Sequence, residues 1–104
     1  MKIIFSESLG GVSCINKFSK EKDYKSLLLL FKGLLEDTEY TLRVNDVKPF
    51  KHIKPRIYQI RKKDYRIFYR LEDDKLIILD IFIKKKNHTQ KQILNRVKQR
   101  AKQI

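Results

Sequence analysis

The chain has 104 residues and a mass of 12.6 kDa, room for one core, so residues 1–104 are expected to form a single domain. Its 35 Leu, Ile, Val and Phe residues, about a third of the sequence, exclude a disordered chain, for which the limit is roughly 20%, and its apolar runs fall well short of the roughly 20 residues that cross a bilayer. The net charge of +13 lies wholly in residues 47–104, which carry 18 basic and 5 acidic groups, so a polyanionic partner is expected, with a merely solubilising surface as the alternative.

The N-terminal apolar stretch is too short for a secretory signal, and the expected compartment is the cytoplasm. Residues 2–7 read as a first strand on the strength of Ile3, Ile4 and Phe5, ended by Gly10-Gly11. Val12, Ile15 and Phe18 then recur at helical spacing behind Ser13, a candidate N-cap, and predict a short helix that Ser19 interrupts. A longer helix is expected over residues 21–36. Tyr24, Leu27, Leu28, Phe31, Leu34 and Leu35 form its apolar stripe, and Leu29 and Leu30 widen it, so burial on more than one side follows. Gly33 weakens this helix by roughly 1 kcal/mol relative to Ala. The single cysteine, Cys14, excludes an internal disulfide and reads as a small apolar residue rather than a nucleophile.

Residues 40–55 read as a loop with some extended structure, punctuated by Pro49 and Pro55. Three β-rich runs follow, at residues 57–61, 65–71 and 76–83, and their short connections imply an antiparallel meander. The third run is apolar apart from Asp80, as in a strand covered on both faces. Thr89-x-x-Gln92 is a capping box, and Ile93, Leu94, Val97, Ala101 and Ile104 trace the stripe of a basic C-terminal helix. The expected fold is therefore α+β: a small antiparallel sheet in the order β-α-α-β-β-β-α, packed on an N-terminal helical hairpin.

Hairpin register decides which cations act together. A two-residue turn at Lys62-Lys63 sets Gln59 opposite Arg66, so Ile57, Gln59, Arg61, Arg66 and Phe68 share a face. A second turn at Asp73-Asp74 sets Arg66 opposite Ile81, on the side of Ile83 and Lys85. Arg61, Arg66 and Lys85 then converge into a cluster suited to a phosphodiester, because guanidinium groups offer forked donors to phosphate oxygens. Tyr58, Ile60, Tyr65, Ile67, Tyr69, Ile78 and Phe82 form the face against the helices. The competing reading pairs Arg61 with Asp64, and Arg66 with another carboxylate. The basic half has only five carboxylates, three of them in one turn, which does not suit two-metal catalysis, and no phosphate loop, dinucleotide fingerprint, Gly-x-Ser-x-Gly or zinc spacing occurs. No cofactor is expected.

Lys48-Pro49-Phe50-Lys51, Ile57-Tyr58-Gln59-Ile60-Arg61, Tyr65-Arg66-Ile67-Phe68-Tyr69 and Ile81-Phe82-Ile83-Lys84-Lys85-Lys86, taken in that order, resemble the RelE/ParE superfamily of toxins, most closely its HigB-type branch. The resemblance covers residues 48–104. It implies a toxin of a type II toxin–antitoxin system that enters the ribosomal A site and cleaves mRNA without metal, by attack of the ribose 2′-OH on the adjacent phosphate. It casts Arg66 as the stabiliser of the phosphorane, with Arg61 and Lys85 or Lys86 lining the same site. The arginines stay protonated and are poor bases. His88 is the first candidate for proton transfer, with His52 and a lysine of depressed pKa behind it. Many members carry a Tyr or a His/Tyr/Asp group on or before the last helix; here no Tyr follows Tyr69, and Gln92 falls near the expected place. Lys48, Lys51, Lys54, Lys84, Lys91 and Lys98 are the expected contacts to RNA or ribosomal phosphates.

The implied partners are a cognate helix-turn-helix antitoxin, acidic where it meets the basic half, and the ribosome with its mRNA. A gyrase-poisoning toxin of the ParE type and a non-catalytic basic nucleic-acid-binding module are the alternatives. Stacking aromatics near the basic face are few, Phe68 being the main one, which argues against general single-strand binding.

Overall fold

A computed structural model describes residues 2–49, 57–84 and 91–102. The class is α+β as expected, but the sheet is larger than the meander alone and is mixed. Its strands are β1 (Lys2–Phe5), β2 (Asp46–Pro49), β3 (Ile57–Lys62), β4 (Tyr65–Glu72) and β5 (Lys75–Ile83), in the spatial order β1-β5-β4-β3-β2. β2 to β5 pair antiparallel, whereas β1 lies parallel to β5, with Ile3 beside Leu76 and Phe5 beside Ile78. The helices are α1 (Tyr24–Glu36), α2 (Thr38–Val44) and α3 (Lys91–Lys102).

Local chemistry accounts for the two departures before the meander. Residues 12–18 wind as a 3₁₀ helix behind Gly11 (φ 88°) rather than an α-helix capped by Ser13, whose hydroxyl instead donates to the Gly10 carbonyl at 3.4 Å. Residues 38–44 form α2, where residues 40–44 were expected as loop, because the Asp37 carboxylate accepts the Tyr40 amide and starts a second helix one residue after α1 ends. Gly33 makes the hairpin possible. A Cβ there would stand 2.6 Å from Thr41 Oγ1, so only glycine lets α2 lie this close to α1.

α1 starts at Tyr24 rather than residue 21, since Asp23 is left-handed (φ 62°). It is not buried on several sides. Leu27, Leu30, Phe31 and Leu34 are buried, while Leu28, Leu29 and Leu35 are exposed, a single stripe of four set by one supporting sheet face.

Cores lie on both faces of the sheet. On one, α1 and the 3₁₀ segment bring Ile15, Phe18, Leu27, Leu30, Phe31 and Leu34 onto Ile60, Tyr65, Ile67, Tyr69, Leu76, Ile78 and Ile81. Phe5 stacks on Phe31, Phe18 meets Tyr65 edge-on, and the Tyr65 hydroxyl donates to the Lys22 carbonyl at 3.2 Å. On the other, Ile57, Phe68, Ile77, Leu79 and Phe82 gather with Val97 of α3.

Among the described residues, α3 is held by Val97 and by an ion cluster. Asp80, 1% exposed, receives Arg96 Nε at 3.0 Å and Nη2 at 2.9 Å on Oδ2 and Arg100 Nη1 at 3.2 Å on Oδ1, and Arg100 also donates to the Leu79 carbonyl at 2.8 Å. The Thr89 capping box lies outside the described residues.

Candidate active site

The first turn of the meander is Lys63-Asp64, not Lys62-Lys63. Lys62 remains in β3 because its partner Tyr65 is buried against Phe18, and Lys63 takes the left-handed conformation (φ 53°) that closes the two-residue loop. Moving the turn by one residue moves the pairing by two, so faces are preserved while partners change. Arg61 stands directly opposite Arg66, and Gln59 opposite Phe68.

The second turn, Asp73-Asp74, is where it was expected, with Leu71 opposite Leu76. Parity then changes within β5. Phe68 pairs with Asp80 and Tyr69 with Ile78, leaving Leu79 as the extra residue of a β-bulge. The inserted residue reverses the expectation for the strand end: Phe82 lies opposite Arg66 and joins the α3 side, whereas Ile81 and Ile83 pack with α1. Lys84, exposed, follows Phe82 in the alternation, and its amide donates to the Asp64 carbonyl at 2.7 Å. Continued one residue past the end of β5, that alternation puts Lys84 on the side of the arginines, while Lys85 lies outside the described residues.

Two rows result on the side of the sheet that α3 partly covers. One runs Asp46, Arg61, Arg66, Phe82 across β2, β3, β4 and β5, and the other runs Lys48, Gln59, Phe68, Asp80. Like charges directly opposite in a sheet are destabilising, by a few tenths of a kcal/mol to about 1.

Arg61 is ion-paired, but to Asp46 rather than Asp64: its Nε lies 3.2 Å from Asp46 Oδ2, with both side chains about half exposed. Such a half-exposed pair contributes at most about 1 kcal/mol to stability. Arg66 has no carboxylate partner among the described residues. Its Nη1 donates to the carbonyls of Lys63 and Tyr65, both at 2.8 Å, which orients the guanidinium while leaving Nε and Nη2 without a partner among those residues. Burial and then the facing Arg61 push its pKa down, partly offset by Asp64 and Asp46. It remains a cation at neutral pH. An anion arriving between the two arginines would relieve their repulsion as well as pair with each.

Of the expected site residues, the structure thus brings Arg61, Arg66 and Lys48 to one face, with Lys84 at its margin. Lys98 is exposed on α3 and makes no ion pair among the described residues. Lys51, Lys54, Lys85, Lys86 and His88 lie outside the described residues, as do His52 and the side chains of Lys91 and Gln92. Asp46 and the Asp80–Arg96–Arg100 clamp were not foreseen. The clamp had a signal, a lone acid in an apolar strand and two arginines at i, i+4. For Asp46 the extended structure expected within residues 40–55 is borne out by β2, but nothing in the sequence sets its register against Arg61. Among the described residues no three His, Cys, Asp or Glu side chains come together as a metal group, and no helix is long and apolar enough to cross a membrane.

No curated protein matches this sequence, and no solved structure matches the fold. A family model does, over residues 15–102, described as phage derived protein Gp49-like (DUF891). With most of the chain aligned, from the 3₁₀ segment through the arginine rows to α3, the protein belongs to the Gp49-like family, a RelE-like family associated with the toxins of toxin–antitoxin systems.

Proposed function

We propose that this protein is the toxin of a type II pair and a metal-independent endoribonuclease that cleaves mRNA on the ribosome. The observation that carries this reading is the direct pairing of Arg61 with Arg66, the latter oriented by two carbonyls and not neutralised by any described carboxylate. Attack of a 2′-OH on the neighbouring phosphate builds a phosphorane with extra negative charge. Fixed guanidinium donors stabilise that charge more than the ground-state diester, which is the condition for catalysis.

Arg66 is the phosphorane stabiliser, Arg61 its partner, and Lys48 and Lys84 supply backbone contacts to RNA on either side of the pair. Lys85, Lys86 and His88 follow Lys84 in the chain and complete the proposed site, with Lys51, Lys54, Lys91 and Lys98 as ribosomal contacts. The partners are the ribosome with its mRNA and an antitoxin of helix-turn-helix type whose contacting surface is acidic.

The test is induction of the wild type and Arg66→Ala in a bacterial host, with 5′ ends of mRNA mapped within minutes. Codon-phased cuts that vanish in the variant are expected. Growth arrest with intact mRNA and damaged DNA would replace this reading with gyrase poisoning.

A further inference from the structure

Cleavage through the 2′-OH needs a group that accepts its proton, and the guanidinium groups of Arg61 and Arg66 are donors only. Four described carboxylates lie on or beside the arginine face, and one of them, Glu72, stands at the far end of β4 from Arg66, 3.5 Å from Arg70 Nε. Asp80 is committed to α3: Arg96 occupies Oδ2, while the Ile81 amide and Arg100 occupy Oδ1, and the residue is almost fully buried. Asp64 sits in the β3–β4 turn, outside the ladder, where it acts on Arg66 only through its field.

Asp46 is different on each count. It stands in the row itself, directly opposite Arg61, on the edge strand β2 where solvent and ligand have access. Its Oδ2 is held by Arg61 Nε at 3.2 Å, while Oδ1 has no partner among the described residues. One oxygen is anchored and the other is open, two strands from the cation that would hold the phosphorane, with Arg61 on the strand between them.

Resting on the ribonuclease reading above, we propose that Asp46 is the general base of the cleavage. The 2′ oxygen bonds to phosphorus as its proton passes to the Asp46 carboxylate. The bond from phosphorus to O5′ breaks, its electron pair leaving on O5′, which takes a proton from solvent. The products are a 2′,3′-cyclic phosphate and a 5′-hydroxyl end, and Asp46 returns its proton to water. Arg61 thereby has two tasks, fixing the base through Nε and facing Arg66 across the reacting phosphate.

The test uses ribosomes programmed with a defined mRNA and three proteins: wild type, Asp46→Asn and Asp46→Glu, each checked for folding by circular dichroism. Asn keeps an oxygen for Arg61 and the shape of the side chain but cannot take a proton. Asp46→Asn should cut about 10²- to 10⁴-fold more slowly, while binding programmed ribosomes at least as tightly, since one negative charge has left a cationic surface. Asp46→Glu should recover a large part of the rate, and Asp64→Asn should cut at close to the wild-type rate.

Asp46→Asn cutting at the wild-type rate overturns the proposal while leaving the ribonuclease reading intact. A rate loss matched by an equal loss of affinity also overturns it, because that pattern marks a residue that only positions Arg61. If the wild type leaves the mRNA uncut, the ribonuclease reading falls and Asp46's role with it.

Discussion

Asp80 and Arg96 join the middle of β5 to α3 through a single carboxylate oxygen, Oδ2, which receives Nε at 3.0 Å and Nη2 at 2.9 Å. The carboxylate is buried while Arg96 is half exposed, and Arg100 closes the other side. Val97 is the one described α3 side chain that is buried, and this ion cluster adds a second attachment of the helix to β5.

Asp80→Ala should therefore loosen α3 before it loosens the sheet. Removing one partner of a buried pair costs roughly 3 to 5 kcal/mol, and the exposure of Arg96 places the expected loss near or below the lower figure. Urea denaturation measures the loss, and hydrogen exchange should show α3 amides deprotected while β4 and β5 amides stay protected.

Gly33 and Thr41 supply a second prediction. Gly33→Ala gains up to about 1 kcal/mol of helix propensity, yet its Cβ would meet Thr41 Oγ1 at 2.6 Å. In the wild-type background the substitution should lower the urea midpoint. With Thr41→Ala already present the clash is gone and the same substitution should be neutral or stabilising. A double-mutant cycle reads the coupling, expected at about 1 kcal/mol or more.

Tyr69 is buried and stacked on Tyr58 at 5.3 Å, and burial, with a smaller contribution from Tyr58, raises its pKa well above the usual tyrosine range. Tyr65 is shifted in the same direction, again mainly by burial. A group whose folded pKa is raised adds stability that is complete below its unfolded pKa, which is 10.0 for tyrosine, and is lost as pH climbs toward the folded value. Stability should thus fall above pH about 10. Tyr69→Phe should flatten part of that fall, seen as a smaller drop in thermal midpoint between pH 9 and 11 than the wild type shows.

Lys48 and Lys84 stand on the arginine face, whereas Lys75 lies at the far end of β5 beside Glu72. If RNA follows the arginine rows, Lys48→Ala and Lys84→Ala should each weaken RNA binding and reduce the slope of log affinity against log salt by about 1. Lys75→Ala should change neither. Binding measured by fluorescence anisotropy over a salt series checks all three.

The order of amino acids alone determined the meander, its second turn, the tyrosine-rich face turned to the helices and the shared face of Arg61 and Arg66. Alternation and turn chemistry act between neighbours in the chain, and a one-residue error in placing the first turn leaves face parity intact. What only the tertiary structure decided was the partner of each residue. The parity of Phe82 depends on Leu79 being the extra residue of β5 opposite the step from Phe68 to Tyr69, a choice made by packing on both faces of β5. The arrival of Asp46 opposite Arg61 depends on α2 ending at Val44 and feeding the chain along the edge of β3. Both are settled by contacts between segments distant in sequence, which local pattern does not encode.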